Sequence, residues 1–335
     1  ANKFDKFLIE IDADIRRILS GDVTEYTRKR LEQVLKQVNV AMTRRYKEYR
    51  KVWEESVTNA AAYEAEFELK TLQKIIKDIE FAMPSATQIA AAVFNTPLGD
   101  IGGPSGGSLL ESFFEEMTKA QVRKIEGAIR LGYAEGQTTP QIVRRIRGTK
   151  AGNFMDGLLA TSKRDAEAIT RTALQHAASQ AREATWANNQ SVIKSVKVVA
   201  TLDSRTSPTC RSLDGKEFPV DKGPRPPFHI NCRSTMVAVL KNKFAGLSKG
   251  RTRTARDPET GRVETVQNQT YYGWLRGQPA SVQDSIIGPT RGKLLRDGGL
   301  TAERFSQLQL GKNFEPITLP EMRKLEPAAF DKAGL

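Results

Sequence analysis

Residues 201–235 read TLDSRTSPTCRSLDGKEFPVDKGPRPPFHINCRST and hold both cysteines of the chain, Cys210 and Cys232, with one of its two histidines, His229. His229 and Cys232 form an H-x-x-C pair, and Asp203 and Asp214 bracket Cys210. Seven prolines and glycines, from Pro208 to Pro227, make the stretch a poor helix and predict a long irregular loop. A loop of that length is usually functional, or is held by something beyond its own hydrogen bonds. Three readings stay open for the cysteines. They ligate a metal, they are buried apolar side chains in a packed loop, or they form a disulfide if the compartment allows it. For the metal reading the ligand set is Asp203, Cys210, His229 and Cys232, with Asp214 in reserve, and the ion is one structural Zn²⁺. Catalytic zinc fits less well. The Glu that a deaminase places two residues after its ligand His is replaced by Asn231, and no H-E-x-x-H segment exists.

Outward from the loop, Ser191–Thr201 (SVIKSVKVVAT) is rich in β-branched residues and predicts a strand entering it. Ser234–Leu240 (STMVAVL) predicts the return strand, and Lys216–Val220 a short third one. Before them a helix is expected from Lys163 to Ala187, capped by Ser162, with a narrow stripe of Ala166, Ile169, Ala173, Ala177 and Ala181. His176 lies on that helix and is the one other imidazole that could complete a metal site.

The pattern T-x-D-S-R-T-S-P-x-C, then L-D-G-K-x-F-P, then G-P-x-P-P-F-H-x-N-C-R-S resembles the phage Mu F-like minor head protein family, also called the phage head morphogenesis family. Thr201, Asp203, Arg205, Thr206, Cys210, Asp214, Gly215, Pro226, Pro227, His229, Asn231, Cys232 and Arg233 match. Ser234 stands where many relatives carry a further Cys. The run W-L-x-x-Q-P-A, I-I-G-P-T-R-x-x-L and D-G-G-L-x-x-x-R-F resembles the C-terminal extension of such proteins, so the likeness covers roughly 160–310. It implies a minor head component of a tailed phage, made in the host cytoplasm and located in the virion near the portal vertex. It implies partnership with the portal protein and other head proteins. Two alternatives remain: a DNA-binding internal protein ejected with the genome, and a zinc-dependent or toxin-like enzyme.

The flanks carry less chemistry. Phe4, Phe7, Leu8, Ile11, Ile15 and Leu19 predict an amphipathic first helix, and Asp22 with Glu25 a cap for the next. Val23 to Met83 contains no Gly or Pro, which fits one very long helix or two with a bend near 58–62. Residues 1–83 carry apolar stripes and no motif, so they are expected to dock a partner and to be dispensable for folding of a 160–240 module. Ser108 with Glu111 predicts a capping box for a helix ending near Gly136, and Thr139-Pro140 opens another through Arg147. Lys241–Arg262 (KNKFAGLSKGRTRTARDPETGR) is basic and poor in apolar residues, and reads as an extended arm. Its Lys249, Arg251, Arg253 and Arg256 are the expected contacts to the backbone of double-stranded DNA, without sequence preference. Short helices follow, the last beginning at Thr318–Met322, and the tail is expected to fray.

The expected fold is therefore α+β and predominantly helical, with long N-terminal helices, a small antiparallel sheet around the Pro/Gly-rich loop, and short C-terminal helices. Its divisions are 1–160 (helical, partner docking), 161–245 (the head morphogenesis domain) and 246–335 (basic arm and helical extension). A formal charge of +13 points to a polyanionic partner. No phosphate loop and no nucleophile–base pair is legible, so no enzyme is expected. No window is apolar enough to span a bilayer, so no membrane partner is expected.

Overall fold

The computed structural model describes residues 2–20, 28–99, 107–248, 252–311 and 315–335. The Asp22–Glu25 pair lies outside them. The fold is predominantly helical α+β, with two small antiparallel sheets. It divides into two compact units, neither of them a continuous stretch: 1–60 with 108–174, and 61–107 with 175–335.

In the first unit, α1 (Asn2–Leu19) buries Phe4, Phe7, Ile11, Ile15 and Leu19, the face its spacing predicts. The long segment without Gly or Pro is one helix, α2 (Arg28–Ile75), whose first part presents Val34, Leu35, Val38, Met42, Tyr46 and Trp53 to this core. Asp14 is held by Arg45 (2.9 Å) and Arg17 (3.0 Å). α4 (Leu110–Ala134) and α5 (Thr139–Arg147) close the unit. The capping box expected at Ser108 does not form: Leu109 is the N-cap, one residue too late for the Ser108 hydroxyl to reach the free N–H groups. At α5 the expected start holds, with Thr138 and Gln141 capping each other reciprocally. Ser162 is likewise not a cap. Its helix, α6, begins at Leu158 and runs to Asn188, and the Ser162 hydroxyl donates instead to Gln121 Oε1 at 2.6 Å.

In the second unit, β1 (Ile193–Val199) is the centre of a sheet ordered β2-β1-β3, with β2 at Glu217–Phe218 and β3 at Thr235–Leu240. The β1–β3 ladder runs from Ile193↔Leu240 to Val199↔Thr235. Its buried face packs with Trp186 of α6 and with Leu72, Ile76 and Phe81. Residues 61–83 are therefore part of the core beneath the sheet, and the expectation that 1–83 can be removed from a folded 160–240 module is corrected. The Trp186 indole N–H donates to Glu68 Oε1 at 2.7 Å. α3 (Ala86–Asn95) starts with a capping box between Ser85 and Gln88.

The described residues of the basic segment 241–262 do not form an extended arm. Asn242–Ser248 coils as a 3₁₀ helix, and β4 (Thr252–Arg256) pairs with β5 (Val263–Gln267) in a hairpin. The missed signal is the D-P-E-T-G turn between the alternating runs TRTAR and VETVQ. Asp257 accepts from the Glu259 and Thr260 backbone N–H groups, and Gly261 takes the left-handed φ of +71° that closes the turn. A second core gathers Leu202 and Ala255 with Tyr271, Tyr272, Trp274, Leu294, Leu295 and Phe305 from α8 (Tyr271–Arg276), α9 (Ala280–Ile287), α10 (Pro289–Asp297) and α11 (Ala302–Gln307). The last helices, α12 (Leu319–Leu325) and α13 (Pro327–Lys332), join it through Met322, Ala329 and Phe330. The tail is thus packed by its own apolar side chains rather than frayed.

Candidate metal centre

The loop after β1 is more ordered than its Pro and Gly content implied. Ser207 and Pro208 open a short helix, α7 (Pro208–Leu213), with the Ser207 hydroxyl accepting from the Cys210 N–H at 3.3 Å. Serine as cap followed by proline at the first helical position is a start signal that the sequence did contain. The cap fixes Cys210 on the first turn, buried against Leu213 and Phe228 in the core under the sheet. Across the loop, the Cys232 N–H donates to the His229 carbonyl at 3.1 Å, and Asn231 adopts φ +61°, a conformation asparagine tolerates better than most residues. That turn folds His229 and Cys232 onto the same point.

Three side chains meet there. Cys210 Sγ lies 3.2 Å from His229 Nε2 and 3.7 Å from Cys232 Sγ, and the ligand atoms of all three lie within 4.8 Å of one another. Both thiols are free and buried. His229 Nδ1–H donates to the Ile230 carbonyl at 2.9 Å, which points Nε2 at the Cys210 sulfur and at the Ser207 hydroxyl, 2.9 Å away. A carbonyl orienting an imidazole in this way is the usual outer support of a metal-ligating histidine. Cys232 is held towards its thiolate form by hydrogen bonding from Cys210 and His229, against the opposing effect of burial. Cys210 is pushed the other way, by the bond it shares with Cys232 and by burial. His229 is raised above the ordinary imidazole value chiefly by its contact with Cys232. Two sulfurs and an oriented imidazole form a soft donor set that can bind a metal ion. They number three, one short of the four that close a tetrahedral structural zinc site.

The fourth expected ligand is not among them. Asp203 is 2% exposed and takes a two-pronged bond from Arg233, at 2.5 and 2.8 Å, and the Thr206 hydroxyl at 2.9 Å. The guanidinium holds its carboxyl below the usual range in spite of burial. Asp214, the reserve, is consumed as well. It accepts from the Ala200 and Tyr271 backbone N–H groups and from Arg253. His176 lies apart, buried and bonded to the Val93 carbonyl at 3.0 Å.

Of the expected DNA contacts, Lys249 and Arg251 fall outside the described residues. Arg253 is an internal strut, its side chain 11% exposed, with Nη1 and Nη2 both bound to Asp214. Arg256 remains exposed, with one bond to the Gly261 carbonyl. Sequence reasoning missed the pairing of Asp203 with Arg233. Both residues stood among the matched positions, but nothing in their spacing of 30 residues said that they meet.

The family model described as Phage Mu protein F like protein matches residues 123–237, a span that contains β1, the loop and both cysteines. Over this third of the chain the sequence is similar to that family. The match supports a Mu F-like phage head morphogenesis protein, and with it a place in the virion. No curated protein and no solved structure matches the chain. Among the described residues, no helix is long and apolar enough to cross a membrane.

Proposed function

We propose that this chain is a structural minor head protein of a tailed bacteriophage, seated at the portal vertex and touching packaged DNA, and that it has no catalytic role. The observation that carries the reading is the Mu F-like match over 123–237. The net charge of +13 supports the contact with a polyanion, since a basic surface draws nucleic acid by counterion release. The helices of the first unit are the part we assign to partner docking. Within the domain, Cys210, His229 and Cys232 would hold one Zn²⁺ that fixes the loop. Such an ion would act structurally, tying α7 to the turn before β3.

Electron microscopy of intact heads, with the protein labelled, tests the assignment. Density confined to the portal vertex, unchanged after DNA ejection, supports it. Loss of the protein together with the genome would favour the ejected internal protein, and a location away from the vertex would overturn both.

A further inference from the structure

A second feature of the second unit lies beside the cysteine loop, where Arg233 lines a cleft. The end of the β1–β3 ladder, at Val199↔Thr235, faces the β4–β5 hairpin across a cleft of about 410 Å³. The two walls are tied together where Leu202 bridges Ala255 and the Arg256 N–H donates to the Leu202 carbonyl at 2.8 Å. Period-two alternation places Thr252, Thr254 and Arg256 on one face of β4, all three exposed, while Ala255 turns into the core. Thr235 and Arg205 line the opposite side.

The charges of this cleft do not cancel. Asp203 is the single carboxylate that lines it, and it is already neutralised by Arg233. Arg205 has its Nε 3.9 Å from Asp203, so it adds a second guanidinium to the same carboxylate while its side chain stays 71% exposed. Arg256, bonded to the Gly261 carbonyl, adds a third. Arg253 forms part of the wall, but its terminal nitrogens are spent on Asp214 and on the Ala200 and Gln269 carbonyls. The cleft thus offers two unneutralised guanidiniums flanked by the exposed hydroxyls of Thr252 and Thr254, while the Thr235 hydroxyl is taken by Arg182. Planar guanidinium forks and hydroxyl donors are the groups that recognise phosphate oxygens.

We propose that this cleft is a phosphate-binding site that seats the phosphodiester backbone of nucleic acid, with Arg205 and Arg256 as its principal contacts and Thr252 and Thr254 as hydroxyl donors. The assignment deepens the DNA contact of the proposed function and rests on it. It moves that contact from a free basic arm to a built cleft whose walls are set by the Asp203–Arg233 and Asp214–Arg253 pairs.

The test uses the full chain, a fluorescent duplex of arbitrary sequence, and anisotropy at several salt concentrations. Arg205→Ala with Arg256→Ala removes the cleft's free charge. Arg130→Ala with Lys324→Ala removes the same charge from exposed positions elsewhere. The cleft pair is expected to weaken binding about tenfold or more at low salt, the worth of one charge-assisted bond. It should also lower the salt slope by about 1.8, for two lost phosphate contacts. Thermal melting should be unchanged, because both side chains are exposed. If the wild type binds DNA and the two double variants behave alike, the cleft is overturned while the DNA contact stands. If the wild type does not bind DNA, titration with pyrophosphate separates the remaining outcomes. Binding that depends on Arg205 and Arg256 keeps a phosphate site fed by small phosphates, and no binding removes the site altogether.

Discussion

Asp214 is the carboxylate on which the second unit converges, and its removal has a calculable effect. Oδ1 accepts from the Ala200 N–H at 2.7 Å and Arg253 Nη2 at 3.0 Å, and Oδ2 accepts from the Tyr271 N–H at 2.6 Å and Arg253 Nη1 at 2.8 Å. One side chain therefore joins the end of β1, the hairpin and the start of α8. Asp214→Asn keeps the shape but exchanges one acceptor for an NH₂ group. Whichever way the amide turns, that group faces one backbone N–H and one guanidinium nitrogen, both donors. One bond from a backbone N–H and one from the guanidinium, each of about 2 kcal/mol because the carboxylate is charged, are lost. The guanidinium of Arg253, 11% exposed, is left without its counter-charge. The expected cost is about 3–5 kcal/mol, the range for breaking a buried pair from one side. Arg253→Met should fall in the same range, and the double variant should cost less than the sum of the two by about 1–3 kcal/mol, because the second change removes a charge that the first stranded. Urea unfolding measures the totals, and hydrogen exchange at the Ala200 and Tyr271 amides reads the site directly. A cost for Asp214→Asn below about 1 kcal/mol, or strict additivity of the two changes, would refute the reasoning.

Three further outcomes follow from the same geometry. His176 is buried, and burial pushes its imidazole down to about 4 from an ordinary 6.5. The unfolded chain then binds a proton that the folded chain refuses, so stability falls as the pH drops from about 6.5 towards 4, by about 2 kcal/mol at pH 5. His176→Gln should flatten that part of the urea-midpoint profile, and an unchanged slope would argue against a neutral buried imidazole. Protein purified without chelator should carry about one zinc per chain by elemental analysis, lost in Cys210→Ser and Cys232→Ser but retained in Asp203→Asn; zinc lost on changing Asp203 would restore it as a ligand. Deleting residues 1–83 should abolish the cooperative unfolding of the β1–β3 sheet, since Leu72, Ile76 and Phe81 leave its core, and a folded truncated chain by circular dichroism would sink that statement.

Element types were legible wherever one periodicity ran for several turns. α1, α2 and α4 follow from apolar spacing, and β1 and β3 from β-branched runs, because burial of one face is what that spacing encodes. Errors gathered where a single polar residue decides. Ser162 reads as a cap by type, yet its hydroxyl is claimed by Gln121, 41 residues away. Composition misread 241–262, since a Thr- and Arg-rich strand at the surface of a hairpin has the polarity of a linker. The cysteine site was half visible. Clustering of rare ligands named Cys210, His229 and Cys232, whereas the fate of Asp203 depended on Arg233, a tertiary partner that no local pattern announces.

The basic residues of the loop show why charge alone does not single out a binding surface. An irregular chain leaves carbonyls without the ladder partners that helices and strands supply, and each buried one needs a donor. A guanidinium carries five N–H donors and suits that task. Arg225 donates to the Pro219, Val220, Lys222 and Gly223 carbonyls while paired with Glu183, so it pins the turn that precedes His229. Arg211 donates to the Thr206 and Ile286 carbonyls, joining α7 to the C-terminal helices. Arg233 and Arg253 serve the two buried carboxylates. Arg211, Arg225, Arg233 and Arg253, the last an expected DNA contact, are therefore fastenings within the fold. Arg205 and Arg256 differ because they present charge to solvent beside hydroxyls. Replacing Arg211 or Arg225 should lower stability and replacing Arg205 or Arg256 should lower phosphate affinity, and a reversal of that division in melting and anisotropy would show that the loop's charge is used otherwise.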